Sequence, residues 1–433
     1  MFINNIADYI FTYLFFIIDG YKKINNIIIN KKYLILFIII LIIIIMNNIC
    51  FVRNNEIKKV KSINNINTTQ IKYNNSYLNY ILICKKKIRL KRIKNCTNKF
   101  PFISICIPVY NTDKYIEQSI LSVINQSFQD FEIIIVNDFS NDDTERIIKK
   151  LQLEDNRIKI IKHNKNLGVY HSRVEAVLNS KGKYILFLDP DDMLLNANLF
   201  KELYSYNYNK NLDIIEFLVY HQIEGTNKIY CPKKHILNHN HNYLKKIIYQ
   251  PELSEILFYQ PRKKKYSYVI CRTIWNKIYK REIQLKTIKY IGEKYYNNEN
   301  LIVADDTMIN IINFNFANNY SNNNLPGYLY NVKKSSMSRG YFGKQHRIRQ
   351  NISFLFYFNL LYKYIIDYNK DINMLYYEIK ITEKRFLEFK SLNIENYLNN
   401  LKIFLNNIKN NKKSSKRLKD LINSIYNNLF FLL

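Results

Sequence analysis

The residues with the clearest chemical potential are Asp189-Pro190-Asp191-Asp192, directly after the apolar run from Tyr184 to Leu188. Carboxylates crowded where a buried strand ends need a cation or a ligand to compensate them. In an extended segment residues two apart point the same way, so Asp189 and Asp191 face one site. Hard oxygen donors of this kind suit Mg²⁺ or Mn²⁺, ions that usually bridge to substrate phosphates. Asp192 is either a further ligand or a cap for the next helix. Pro190 fixes φ but leaves the carboxylates free. A second acidic pair, Asp305-Asp306, opens an expected helix with Met308, Ile309, Ile311 and Ile312 on its apolar side. Those two acids either act in chemistry or favour the helix dipole from its first turn.

The elements around these residues alternate. Ile103 to Val109 reads as a strand ending at Tyr110-Asn111, and Asp113 can cap a helix carrying Ile116, Ile120, Val123 and Ile124. Phe131 to Val136 reads as a second strand ending at Asn137-Asp138, followed by a helix from Asp143 to Leu151. Arg157 to Lys162 is a third strand, Leu167-Gly168 opens a helix through Leu178, and Tyr184 to Leu188 and Asp213 to Val219 are the fourth and fifth strands. Strands alternating with helices predict a mostly parallel α/β sheet, whose ligands bind beyond the carboxyl ends of the strands. Tyr110, Asp138 and the Asp189–Asp192 cluster all lie at such ends. No G-x-G-x-x-G follows the first strand and no Walker A run occurs, so phosphates would be neutralised by metal rather than cradled by a glycine loop.

Composition bounds the rest. The formal net charge of +30 over 433 residues comes from Lys spread evenly among Asn, Ile and Tyr. No stripe of Arg and aromatics marks one element, so a nucleic-acid partner is not expected. The six Cys show no CxxC or CxxH spacing, which argues against a zinc site or a disulfide framework, and Cys106 reads as a small core residue. The seven His form no metal pattern, including His235, His239 and His241. Tyr33 to Met46 is unbroken apolar, and Ile49 to Val52 extend it, enough for one transmembrane helix. Lys and Arg are balanced on its two sides, so its orientation cannot be read. Residues 53–99 read as a basic, aperiodic stem, and 345–433 as basic amphipathic helices that pack on the rest, lie on a membrane surface, or both.

Taken in order, several stretches resemble family 2 glycosyltransferases of the capsule and polysaccharide type. They are Ile103 to Asn111, Gln126-Ser127-Phe128, Ile134 to Ser140, Asn166-Leu167-Gly168 and Leu188 to Asp192. The likeness continues more loosely through Trp275 to Tyr279, Asp305-Asp306-Thr307, Tyr328-Leu329-Tyr330 and Ser336-Met337-Ser338. The resemblance implies a GT-A fold, a nucleotide-sugar donor with a UDP-sugar favoured, and Mn²⁺ or Mg²⁺. It implies donor contacts from Pro108, Tyr110, Asn111, Asp138, Arg173 and Asp189, with Tyr110 stacking near the nucleobase and Asp138 hydrogen-bonding it. The alternatives are a loop aromatic for Tyr110 and a helix cap for Asp138. Asp191 would hold the ion, with Asp189 toward the ribose and Asp192 as a possible ligand. Asp306, beside Asp305, would be the general base, and the reaction would invert the anomeric centre. Arg173 either reaches the diphosphate or forms a salt bridge on its helix. Trp275, Asn276 and Lys277 would line the acceptor cleft, although Trp275 fits a core anchor equally well. Lys333, Lys334 and Arg339 lie where they could add charge to the phosphates.

The expected organisation is a membrane anchor over 1–52, with the span at about 33–52, and a stem over 53–99. A GT-A domain follows over 100–340, with a nucleotide-binding half at 100–220 and an acceptor half at 221–340, then a helical region over 341–433. The acceptor would be a saccharide, a lipid-linked molecule (polyprenyl-phosphate acceptors included) or a protein. A catalytically inactive GT-A scaffold is the reading from a different class.

Overall fold

The computed structural model describes residues 75–86, 100–226, 228–232, 247–250, 273–292, 305–333, 344–370, 375, 379 and 395–430. The expected membrane span and the rest of residues 1–74 lie outside them. Among the described residues no helix is long and apolar enough to cross a membrane.

The nucleotide-binding half is built from β1 (Ile103–Val109), α2 (Ile116–Ile124), β2 (Phe131–Asn137), α3 (Thr144–Glu154), β3 (Ile158–Lys162), α4 (Val169–Leu178) and β4 (Tyr184–Phe187). A helix that precedes them, α1 (Asn75–Lys85), is taken up below. Strands β1, β2 and β4 are buried along their whole length. Their side chains sort by strict alternation. Ile103, Ile105, Ile107 and Val109 of β1, with Phe131, Ile133 and Ile135 of β2, join one apolar cluster with α2 and α3. Cys106, Ile134, Val136, Ile185 and Phe187 join another on the opposite face with α4. A period of two with both faces covered is what an interior parallel strand requires.

The chain continues through β5 (Met193–Leu194), α5 (Leu199–Asn207), β6 (Ile214–Ile223), β7 (Ile229–Tyr230), β8 (Ile248–Tyr249), β9 (Lys277–Lys280), α6 (Arg281–Ile291), α7 (Asp305–Phe316) and β10 (Asn319–Val332). Helices α8 (Lys344–Asp367), α9 (Glu395–Asn410) and α10 (Lys416–Phe430) follow. The strands form one sheet in the order β3-β2-β1-β4-β9-β6-β10-β5, with β7 beside β6 and β8 beside β10. Strands β1 to β4 pair in parallel. Beyond β4 the sheet is mixed: β9 runs antiparallel to β4 and β6, β10 parallel to β6, and β5 antiparallel to β10. The order reverses between β1 and β4, which opens a crevice at their carboxyl ends.

Two expectations are corrected here. The stem over 53–99 is not wholly a linker, because α1 docks on the sheet. Tyr77, Tyr80, Ile81 and Cys84 recur at i, i+3, i+4 and i+7, and the last three are buried against Met193, Leu195, Tyr220 and Leu329. The lysines and asparagines that flank this segment hide that stripe in a composition-based reading. Strands β9 and β10 were not expected as strands at all. β10 is rich in Asn and Tyr and carries Pro326, which the sheet accommodates at a register shift between Asn322 and Tyr328. Gly327 is required there, since a Cβ would lie 2.2 Å from the Phe217 ring. Helices α8 to α10 bury Leu355, Phe358, Leu361, Leu401, Phe404 and Ile422 in the same cluster as α6, α7 and one sheet face.

Candidate active site

The site forms where β1, β2 and β4 end. The loop after β1 is tied to the loop after β2. The Asn111 amide donates to Ser140 Oγ at 3.0 Å, and Asn111 Oδ1 accepts from the Asn141 amide at 2.9 Å. Thr112 and Asp113 amides donate to Thr144 Oγ1 and Asp142 Oδ2. Asn111 and Phe139 are both left-handed, at φ 51° and 67°. Asn tolerates that region, whereas a bulky aromatic rarely enters it. Phe139 and Tyr110 each stay about half exposed, at 50% and 49%, and present two ring surfaces above the sheet edge. Pro108 is buried within β1.

Asp138 is held inside the protein. Its Oδ1 accepts from His163 Nδ1 and from the Leu167 amide, and its Oδ2 from the Gly168 amide, each at 2.8 Å. Gly168, at φ 93°, is the residue from which α4 starts. The carboxylate is buried and ties the start of α4 to the end of β2. His163 carries no motif spacing toward Asp138, and nothing in the sequence marks it. Its ring packs edge-on against His171 at 5.0 Å, and burial pushes the His171 imidazole below its usual range.

The aspartates after β4 divide into two kinds. Asp192 is buried: its Oδ2 accepts from Tyr328 Oη at 2.8 Å and its Oδ1 from the Asn331 amide at 2.7 Å. Burial, with Asp191 and Asp189 beside it, raises its carboxyl well above the usual range. Both oxygens are committed to β10, so Asp192 anchors the loop and is corrected as a metal ligand. Tyr328 Oη also accepts the Asp189 amide at 3.2 Å. Asp189 and Asp191 keep side-chain exposures of 24% and 29%, enough to meet a ligand. Asp191 pairs with Lys333 Nζ. Burial, then the Asp189 charge, raise the Asp191 carboxyl above its usual range despite that lysine.

Arg173 joins the site together. Its Nη2 donates to Asp189 Oδ1 and its Nη1 to Asp306 Oδ1, both at 2.8 Å. One planar guanidinium on α4 thus links the end of β4 to the first turn of α7. Asp305 opens α7, and its side chain lies outside the described residues. Arg173 forms a salt bridge, one that connects the carboxylates of Asp189 and Asp306 rather than lying along its own helix.

Trp275, Asn276 and Lys277 do not line a cleft. Trp275 stacks on Tyr328 with centroids 4.4 Å apart and on Tyr330 at 5.7 Å, so it is the core anchor behind the tyrosine that holds Asp189 and Asp192. Asn276 and Lys277 are fully buried. Lys277 Nζ donates to Thr273 O and Asn276 Oδ1 at 2.8 Å and lies 3.4 Å from Glu216 Oε2. Asn276 Nδ2 and Tyr320 Oη also donate to Glu216. A buried charge requires such a network, and this one locks β9 to β6 and β10.

The donor set suits a hard divalent cation. Among the described residues no group of three or more His, Cys, Asp or Glu is arranged to hold a metal by itself. Two accessible carboxylates, Asp189 and Asp191, match the way Mg²⁺ is held by one or two carboxylates together with substrate phosphates.

The chain is similar to known proteins over much of its length. Residues 104–284 match the model of glycosyl transferase family 2. A glycosyltransferase of Methanocaldococcus jannaschii that is itself uncharacterized is 32% identical over 256 residues, 57% of this chain and 79% of that protein. The chain belongs to glycosyl transferase family 2. As a family 2 glycosyltransferase it also aligns with the glycosyltransferase GlyA of Streptococcus pneumoniae, 28% identical over 243 residues. That alignment takes in 55% of this chain but 31% of GlyA, so the chain spans well under half of that relative. Among solved structures, S. aureus TarS 1–349 in complex with UDP aligns over 75% of this chain and 87% of that one, at 17% identity and a TM-score of 0.46. That likeness is too loose to carry any assignment. Family membership makes the protein a nucleotide-sugar glycosyltransferase.

Proposed function

We propose that this family 2 glycosyltransferase uses a divalent cation to transfer a sugar from a UDP-sugar to an acceptor hydroxyl with inversion, with Asp306 as the general base. The observation that carries the reading is the Arg173 bridge, which brings Asp306 and Asp189 to opposite ends of one guanidinium. A base and a diphosphate site must be neighbours if the acceptor oxygen is to attack the anomeric carbon in line with the departing nucleotide. Asp189 and Asp191 would hold Mn²⁺ or Mg²⁺. When bound, the ion would supply Lewis-acid stabilisation of the leaving nucleoside diphosphate. Tyr110 and Phe139 offer apolar surface to a nucleobase. Asp306 takes the acceptor proton onto its carboxylate, and Arg173 holds that carboxylate in place. A single displacement needs no second nucleophile, which favours inversion. The apolar run at 33–52 supports a membrane location and, with it, a lipid-linked acceptor over a soluble one.

The test is a nucleotide-sugar panel on the full chain in detergent. Release of nucleoside diphosphate is followed with Mn²⁺, with Mg²⁺ and with EDTA, beside Asp191→Ala and Asp306→Asn. Metal-dependent turnover of a UDP-sugar is expected, with Asp306→Asn lowering it by about 10²–10⁴-fold while nucleotide affinity is kept. Turnover that survives EDTA or Asp306→Asn would refute the reading, and donor binding with no turnover toward any acceptor class would favour the scaffold alternative.

A further inference from the structure

Lys333, directly after β10, occupies the carboxylate that a donor-bound cation would need. Its ammonium pairs with Asp191, and its side chain is 12% exposed. Nζ also lies 4.3 Å from the centroid of the Tyr115 ring. Tyr115 is fixed in turn, because its hydroxyl donates to Glu224 Oε1 at 2.5 Å. That hydrogen bond, followed by burial, pushes the Tyr115 hydroxyl up to about 12, so it stays a donor at neutral pH. Loops after β1, β6 and β10 thus meet to hold one lysine on one aspartate. A cation over an aromatic face keeps a favourable seat when its carboxylate partner is taken away. The other half of the acidic cluster is compensated differently. Asp189 is bound by Arg173, which Asp306 holds at its other end.

We propose that Lys333 is the resident counter-ion of the donor site: it neutralises Asp191 while the site is empty and passes to the diphosphate oxygens when a nucleotide-bound divalent cation claims that carboxylate. The inference rests on the donor reading above. Without nucleotide, a free cation must displace the ammonium and leave it with no anion, so cation binding is weak. With nucleotide, the diphosphate receives the displaced ammonium, and the two ligands bind with positive coupling. A state in which Asp191 is occupied by lysine lowers apparent cation affinity by the fraction of molecules in the competent state. The Tyr115 ring is the pivot, since the ammonium lies over it while paired with Asp191.

The experiment measures Mn²⁺ affinity of the full chain in detergent by electron paramagnetic resonance, without and with UDP, and UDP affinity at saturating Mn²⁺ by calorimetry. Lys333→Gln is expected to tighten nucleotide-free Mn²⁺ binding about tenfold and to weaken UDP binding by a similar factor, which abolishes the coupling. Tyr115→Leu, which keeps the lysine but removes the aromatic face beneath it, should shift both quantities in the same directions by less. If wild type binds Mn²⁺ and UDP but Lys333→Gln leaves nucleotide-free Mn²⁺ affinity unchanged or weaker, this inference fails and the donor reading stands. If wild type binds no Mn²⁺ even with UDP, the metal-dependent reading and this inference fall together.

Discussion

The end of β2 and the end of β4 each present carboxylates to the same crevice, and they treat them in opposite ways. At β2, Asp138 receives three hydrogen bonds from the protein itself, from His163 and from two backbone amides. At β4, Asp189 and Asp191 are met by the side chains of Arg173 and Lys333 and remain partly open. The first arrangement is a joint: removing the carboxylate would orphan buried donors. The second is the arrangement we propose as the donor site, because long cationic side chains can exchange one anion for another. Asp192 belongs with the joint although it sits among the site residues, since Tyr328 and the Asn331 amide consume both of its oxygens. Carboxylates adjacent in sequence can therefore have opposite duties, and the donor that reaches each oxygen decides which.

The largest stability effect is expected at the joint. Asp138→Ala leaves the His163 Nδ1 and two backbone amides unsatisfied at a buried position. It should cost about 3 kcal/mol or more in denaturant unfolding. A loss below 1 kcal/mol would mean that the hydrogen bonds there are replaceable and that the contrast between the two ends is weaker than drawn. Tyr328→Phe comes next. It removes the hydroxyl shared by Asp192 and the Asp189 amide while preserving the Trp275 stack, and should cost about 1–2 kcal/mol by the same measurement. It should also raise the KM for the donor, because the aspartate loop loses its tether.

Asp191→Asn is the smallest change and has the opposite sign. Burial and Asp189 raise the Asp191 carboxyl in the fold, so its ionised form is less favourable folded than unfolded. The stability linked to this group is therefore fully present below its unfolded value and is lost as the pH rises through the raised folded value. Replacing it with a neutral amide should leave Tm at neutral pH unchanged or slightly higher, with the difference from wild type shrinking as the pH falls. Activity should be lost at the same time, the usual trade at a charged site. Thermal melts of both proteins across the acid range check the sign, and a melting temperature that drops at neutral pH would place Asp191 with the joint instead.

The chain's own residue order was sufficient for the first half of the sheet. Short apolar runs in β1, β2 and β4, helical spacing in α2, and aspartates where apolar runs stop are local signals, each contained within a dozen residues. They located the crevice and marked Asp138, Asp189 and Asp191, whereas Asp306 was marked by the helix it opens and by the family resemblance. The Asn- and Tyr-rich second half had no such pattern. β9 and β10 are strands because β6 supplies partners for their backbone groups, and α1 is docked because a stripe of four apolar residues meets a complementary patch. Only the tertiary structure decided what each carboxylate does. Asp138 meets a histidine 25 residues away, Asp192 a tyrosine 136 residues away, and Arg173 an aspartate 133 residues away. Trp275, Asn276 and Lys277 became core through contacts with β6 and β10. Residue type establishes that a group can bear charge; which atoms surround it depends on contacts far apart in the chain, and those set whether the charge is fixed in place or free to act.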